Sequence, residues 1–267
     1  MEQQHPILEF FDQFNKGLHS HRDAVHFIRK HKLWVGFWEY GWVTKLLVLM
    51  GLIASFKFYE VFSAWVASFD NNADAFAVVQ SMGVLIKDFA LEGYDFFFMG
   101  GFKYLMLILL EIIIFHVARR TVEIKTGKEI DSTFNTFLKA EFRMIKVSFF
   151  CFIAETLMIA AFKAAAPALG VGFLTPVFSI VVQCYFLGFL VVDNYNEIFD
   201  MTIRESSRFS RQYAGLLLAV GLGAYLMLFI PIIGTIAAPF ISAVAATLVM
   251  NEYVGDRDPQ EMAAELI

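Results

Sequence analysis

The sequence predicts an all-α membrane protein with about six membrane segments, which include two helical hairpins, together with amphipathic helices at the interface. Hydrophobic residues make up 58% of the 267-residue chain and charged residues only 18%, a balance that excludes a water-soluble globular fold. The forty residues between Arg211 and Glu252 carry no charged side chain. One bilayer crossing takes about 20 apolar residues, and proline and glycine interrupt the run, so it predicts two segments folded back on each other.

Two stretches share this hairpin pattern. The first covers 147–192 and turns at the Pro/Gly segment 167–176, and the second covers 214–251 and turns at 231–239. The arms of the second hairpin are about 17 residues long, the short limit for a full span, so they either cross the bilayer or enter it partway. Small residues recur four apart in both arms and predict close helix packing. They are Gly215, Ala219 and Gly223 in one arm, and Ala238, Ser242 and Ala246 in the other.

The first 41 residues contain an amphipathic helix that we expect to lie on the bilayer rather than through it. Its apolar positions at helical spacing are Ile7, Phe10, Phe11, Phe14 and Leu18. Three tryptophans then recur every four residues, at Trp34, Trp38 and Trp42, as is typical of the headgroup boundary before a crossing, here roughly 43–63. No cleavable signal peptide is indicated, so the N-terminus should remain in the mature protein.

Charge segregation between loops predicts the orientation. The stretch 61–101 is acidic and is expected to be an extramembrane or re-entrant loop, and a second crossing follows at roughly 102–118. The stretch 119–146 carries seven Lys and Arg residues and reads as another surface helix, and 193–213 is also basic. Basic loops favour the cytoplasm, which places both termini inside and the acidic loop and both Pro/Gly turns outside.

The segment Phe229 to Pro239, with Pro231, Gly234 and Pro239, resembles the C-terminal signature of the CysZ sulfate-permease family and its eukaryotic etoposide-induced relatives. The segment from Val192 through Asp193 to Tyr195 is similar to that family's aspartate-tyrosine element. The resemblance covers most of the chain and is weakest across 61–100. It implies a single helical, partly hemi-penetrating inner-membrane domain over 1–267, oligomeric, that passes sulfate inward for cysteine synthesis.

Family members with a sulfate site resemble one another in a Gly-Leu/Ile-Arg-Arg element before the first membrane helix, where helix-terminus amides and arginine hold the anion. In this chain the same place runs from Ile28 through Arg29 and Lys30 to Lys32. The charges are retained and the glycine is absent. The resemblance therefore implies anion contacts by Arg29, Lys30 and Lys32. Independently of the resemblance, a juxtamembrane basic cluster of this kind also binds anionic lipid headgroups.

Ionisable residues inside predicted crossings fall at two depths. Measured from the predicted cytoplasmic end of each helix, the lysines lie roughly 23 Å in and the glutamates roughly 11 Å in, at about 1.5 Å per residue. The lysines are Lys57, Lys103 and Lys163, and the glutamates are Glu111 and Glu155. One interpretation is an anion-gathering lysine ring with a carboxylate pair that gates or couples to protons. The alternative is snorkelling lysines and glutamates that hydrogen-bond neighbouring helices.

Several classes of site are not indicated. Cys151 and Cys184 both lie in predicted membrane segments and are expected to pack rather than to form disulfides. The histidines of the N-terminal segment lack metal-site spacing, and His116 is a lone histidine at a helix end. Phosphate loops, zinc-protease helices and nucleophile elbows are absent from the sequence, so neither an enzyme, a cofactor nor a metal site is predicted, and nucleic-acid binding is unsupported.

The sequence thus favours a multi-pass permease or channel of the bacterial inner membrane for a small oxyanion, with sulfate as the leading candidate. Its expected partners are the inorganic anion, the lipid bilayer and further copies of the same chain. The alternative is a non-transporting scaffold or assembly protein, whose amphipathic helices bind lipid or partner proteins.

Overall fold

A computed structural model describes the fold over most of the chain. It describes residues 6–35, 110–130, 134–228 and 233–255, with single positions at 45, 49, 104, 107, 108, 230 and 262. Within this described part the structure is helical and contains no strand, so the predicted all-α class is confirmed. The helices are α1 (Pro6–His31), α2 (Glu111–Thr126), α3 (Phe134–Ala165), α4 (Thr175–Ile198), α5 (Ile203–Arg211), α6 (Ala214–Leu228) and α7 (Ile233–Val254).

Three helical stretches are long and apolar enough to cross a membrane, namely Leu138–Ala165, Gly172–Ile198 and Ile236–Val254. A fourth is added if α5 and α6, which are bent by 100° relative to each other, form one broken span. Alone, the 15 residues of α6 extend about 22 Å, short of the roughly 30 Å hydrocarbon core. The crossing predicted at 43–63 and the acidic loop at 61–101 lie outside the described residues, apart from the single positions 45 and 49.

The first hairpin consists of α3 and α4. The two helices are joined by a turn and a short 3₁₀ helix, Gly172–Leu174, and Gly170 takes the left-handed φ of 70° that the turn requires. Phe162 and Phe178 stack across the hairpin near this turn, with ring centroids 4.0 Å apart. The helix α3 begins at Phe134, so the basic surface segment expected up to residue 146 continues into the crossing without a break.

The close approach of α4 and α6 depends on two glycines. A Cβ atom on Gly188 would lie 1.8 Å from the Leu217 carbonyl oxygen, and one on Gly221 would lie 1.7 Å from the Cys184 carbonyl oxygen. No side chain larger than hydrogen therefore fits at either position. The two backbones touch directly, as small residues permit in membrane helices.

The helix α1 packs along α6 and α7 rather than standing apart from the bundle. Its buried residues are Gln13, Gly17, Ser20, Ala24 and Ile28. Gln13 donates from Nε2 to the Gln212 carbonyl oxygen over 2.8 Å and accepts from the Gly215 amide over 3.2 Å. The predicted small-residue seam does pack closely, and its partner is α1: Gly215 lies against Phe10, Ala219 against Gly17 and Gly223 against His21.

The apolar residues that the sequence analysis assigned to the bilayer surface remain largely outside this packing. Ile7, Phe11 and Leu18 are exposed, which suits contact with lipid. On the buried side, His21 lies against Gly223, donates to or accepts from Ser242 over 3.4 Å and contacts the Gly17 carbonyl oxygen over 3.1 Å. Burial lowers the pKa of His21 below its ordinary value, so this histidine is a neutral packing group.

We expect Gly221→Ala to lower the free energy of unfolding by about 1–3 kcal/mol, because the added methyl group forces α4 and α6 apart. Gly172→Ala is the matched control, since a Cβ atom there meets nothing within 4 Å. Thermal unfolding of the purified protein in detergent measures both. Equal melting temperatures for the two variants would contradict the close crossing.

Candidate functional site

A buried ion pair joins α3 to α4. The Arg143 guanidinium donates from Nε to Asp193 Oδ2 over 3.0 Å and from Nη2 to Asp193 Oδ1 over 2.8 Å. The side chains are 13% and 5% exposed respectively. This two-point geometry is the strongest form of an arginine–carboxylate pair, and it fixes the rotation of one helix relative to the other.

The same pair holds the short helix α5 in place. Ser206 donates to Asp193 Oδ1, Arg143 Nη1 donates to the Met201 carbonyl oxygen, and Asn196 donates to the hydroxyls of Ser206 and Ser210. The helix α5 begins with a capping box in which Thr202 and Glu205 exchange side-chain to backbone hydrogen bonds. The start of α5 is therefore fixed next to the guanidinium.

The carboxyl group of Glu111, next to this ion pair, has three acidic neighbours and one basic neighbour. Glu111 on α2 is fully buried, and neither of its carboxylate oxygens has a hydrogen-bond partner in the described part of the chain. Its electrostatic neighbours are Glu197, Glu141, Asp193 and Arg143. Three of these carboxylates, those of Asp193, Glu197 and Glu111, interact with the Arg143 guanidinium, which Asp193 already binds at two points. A buried carboxylate is costly without a partner, so the cluster is able to hold a proton.

A cleft of about 750 Å³ opens beside Arg143. Its charged lining residues are Lys139, Arg143 and Lys146 on α3, Arg204 in the first turn of α5, and Glu197 on α4. The three α3 residues are spaced four and three apart and therefore share one face of the helix. Four cations against one carboxylate make this an anion-attracting surface.

A second and larger cleft, of about 1440 Å³, lies between α1, the end of α2 and the end of α7. Its lining includes five cations and three acidic residues together with apolar side chains. The cations are Lys16, Arg22, Lys30, Lys125 and Lys128, and the acids are Asp23, Glu129 and Glu252. Three histidines, His19, His26 and His31, also line it, and no group of acidic, histidine and cysteine side chains among the described residues has metal-binding geometry.

The predicted anion-contacting residues at the end of α1 are only partly brought together. Arg29, Lys30 and Lys32 are all exposed, and Lys30 alone of the three lines the larger cleft. Lys32 takes a left-handed φ of 51° where α1 ends. The neighbouring residues Leu33 and Val35 accept from His116 Nε2 over 3.2 Å and 3.3 Å, which attaches the end of this segment to α2.

The lysines and glutamates predicted at shared depths have different surroundings. Lys163 is exposed near the end of α3, whereas Lys57 and Lys103 lie outside the described residues. Glu155 is buried and accepts from the Tyr104 hydroxyl over 2.7 Å, while Glu111 belongs to the Arg143 cluster. Glu141, an electrostatic neighbour of Glu111, lies about 21 Å from Glu155 along α3, at 1.5 Å per residue. The two predicted carboxylates, Glu111 and Glu155, therefore occupy different regions.

The remaining residues that the sequence analysis selected are the family-motif residues, and the contacts that the structure shows for them lie within the fold. Tyr195 is fully buried and donates to Asn251 Oδ1 over 3.4 Å, and Asp193 binds Arg143. The Gly234 amide donates to the Ile230 carbonyl oxygen over 2.8 Å. Pro239 lies inside α7, and Pro231 lies outside the described residues. The sequence analysis missed Lys139, Arg143, Lys146 and Arg204, although the helical spacing of the first three was a usable signal.

A sequence model of the family described as sulfate transporter CysZ/etoposide-induced protein 2.4 matches residues 20–239. This range includes the Arg143 cluster and both hairpins up to Pro239. Among curated proteins, none matches the chain.

We expect Asp193→Asn to destabilise the protein by about 3 kcal/mol, because it leaves a buried guanidinium without its partner. Arg120→Gln breaks an ion pair with Glu123 in which Arg120 is 45% exposed, and it should cost less than about 1 kcal/mol. Thermal unfolding in detergent distinguishes the two. A melting temperature for Asp193→Asn equal to that of Arg120→Gln would rule out the ion pair as a structural anchor.

Glu111→Gln should leave the melting temperature unchanged or raise it. The substitution keeps the side-chain shape and removes a group that has no hydrogen-bond partner among the described residues, so no interaction is lost. The same unfolding assay, with Asp193→Asn as the destabilised reference, checks this. A fall as large as that of the reference variant would show that Glu111 is paired in the folded protein.

Proposed function

The chain belongs to the sulfate transporter CysZ/etoposide-induced protein 2.4 family, and from this premise we propose that it is an inner-membrane permease or channel for a small oxyanion, with sulfate as the leading candidate. The three to four candidate membrane spans support a multi-pass transport protein. The observation that carries the proposal is the cationic cleft at Arg143.

The positive charge of the cleft comes from one anchored side chain, Arg143, and from three exposed side chains around it. Three of the five N–H groups of Arg143 donate to Asp193 and Met201, so two remain for a ligand. Lys139, Lys146 and Arg204 are exposed around it and raise the local concentration of anions. A tethered guanidinium with free donors suits the tetrahedral geometry of sulfate, which accepts several hydrogen bonds at once.

Beyond the cleft, carboxylates control the passage of the anion. A dianion that enters past Arg143 meets Glu197 in the cleft lining and then Glu111, whose neighbours include Glu141, and charged carboxylates would repel it. Protonation of these groups removes the repulsion and compensates the charge of the anion. In this proposal Glu111 therefore gates the path or couples it to protons, and Glu155 has a similar role deeper along α3.

The predicted basic residues collect anions at the two mouths of the path. On the side proposed to be cytoplasmic, anions are collected next to the larger cleft, at the end of α1, by Arg29, Lys30 and Lys32. Lys57, Lys103 and Lys163 serve the opposite side. We further propose that the protein acts as a homo-oligomer in the bacterial inner membrane, with both termini in the cytoplasm.

Uptake of labelled sulfate into proteoliposomes tests the proposal, with chloride and phosphate as competing anions. We expect Lys139→Gln/Lys146→Gln to reduce uptake about tenfold, because the local anion concentration at the cleft falls. Arg120→Gln/Arg211→Gln removes the same charge from exposed positions outside both clefts and should retain uptake. Equal uptake by the two variants would remove the Arg143 cleft from the path.

The same assay decides between the permease and the scaffold. A Lys57→Gln/Lys103→Gln/Lys163→Gln variant tests the proposed outer mouth, and loss of sulfate uptake there places those lysines in the path. Absence of flux for every anion in the unmodified protein would contradict the permease and favour a scaffold, whose exposed apolar residues on α1 would contact lipid or partners.

A further inference from the structure

Gln183 is a buried amide that has no hydrogen-bond partner among the described residues. It lies in the middle of α4, its side chain is 0% exposed, and neither Oε1 nor Nε2 has a hydrogen-bond partner among the described residues. An amide in an apolar interior costs several kcal/mol unless it is hydrogen-bonded. Buried polar groups that the protein does not satisfy are usually satisfied by water or by a ligand.

Gln183 belongs to a polar stripe along α4. Ser179, Gln183, Asn194 and Glu197 project within about 60° of one another, at 100° per residue. Ser179 and Asn194 are buried, and Asn194 Oδ1 also has no partner among the described residues. From Ser179 to Glu197 the stripe extends about 27 Å, close to the roughly 30 Å of a hydrocarbon core.

The other face of α4 has a different character. Gly188 contacts the α6 backbone, Val192 is fully buried, and Val181 is exposed on the outside of the bundle. Within the polar stripe itself, Phe186 and Leu190 form an apolar interval between Gln183 and Asn194. An apolar interval between two polar regions is the arrangement that gates pores by dewetting.

We propose that this face of α4 lines a hydrated path through the protein, with Gln183 as the residue that hydrogen-bonds the passing oxyanion and Phe186 and Leu190 as the constriction. The neutral amide donates to an anion from Nε2 and accepts from water at Oε1. A neutral donor binds an anion without trapping it, as conduction requires. The identity of the solute rests on the proposed function, whereas the hydration of the stripe is testable without it.

Thiol accessibility tests the path. Gln183→Cys is made in a background with Cys151→Ala and Cys184→Ala, and membrane vesicles are treated with the anionic, membrane-impermeant reagent methanethiosulfonate ethylsulfonate. We expect the thiol at 183 to react at least about tenfold faster than one at 192 or 181, because an apolar site suppresses the reactive thiolate. Val192→Cys and Val181→Cys are the matched controls for dry interior and lipid.

Sulfate should slow the reaction at 183 in a concentration-dependent manner. Asn194→Cys is the second variant, which keeps the test decisive if Gln183→Cys does not fold. Reaction at 183 and 194 no faster than at 192 overturns the path, whether or not sulfate uptake is observed. Fast reaction at 183 without uptake of any anion supports the hydrated path and contradicts the permease.

Gln183→Leu adds a transport readout. It removes both hydrogen-bonding atoms at similar volume, and we expect sulfate uptake to fall at least about tenfold, the factor that corresponds to one lost hydrogen bond of 1.4 kcal/mol to a charged group. Normal uptake by this variant in a protein that transports sulfate overturns the role of Gln183 and leaves the permease intact.

Discussion

The direct contact between the backbones of α4 and α6 is the constraint on which the rest of the structure depends. Gly188 and Gly221 each lie where a methyl group would overlap a carbonyl oxygen of the other helix. Because the face of α4 around Gly188 is held against α6 by this contact, its polar stripe, on the opposite side of the helix, turns away from α6. One steric requirement therefore sets both the tightness of the bundle and the direction of its buried amides.

Charged side chains add two further features to this helix packing. The Arg143–Asp193 pair attaches α3 and the start of α5 to α4 at one end of the helix, and its geometry leaves part of the guanidinium available to the open cleft. Three acidic neighbours and one guanidinium surround the buried carboxyl group of Glu111, whereas cations predominate in the lining of the cleft. In the proposed function, the cleft collects anions and the buried carboxylates control their further passage.

The sequence predicted the helices better than it predicted which helices and side chains contact each other. Length, apolar runs and Pro/Gly turns predicted the helical class and both hairpins, and the signature around Pro231 to Pro239 pointed to the family. The Arg143 cleft was not predicted, because its lysines have the pattern of an ordinary cytoplasmic basic stretch. Arg204 lies on another helix and comes close to them only because of the position that α5 takes in the fold. The docking face of α1 was also missed. Its buried side is polar and small, with Gln13, Gly17 and Ser20, whereas a hydrophobic pattern draws attention to Ile7 and Phe11.

The position of α1 has a consequence for biosynthesis. This helix is made before the α6–α7 hairpin that covers it, and Gln13 binds partners about 200 residues later in the chain. During translation the polar face of α1 therefore stays uncovered until α6 and α7 have left the ribosome and inserted. A polypeptide that stops before this hairpin leaves α1 without the surface on which it packs.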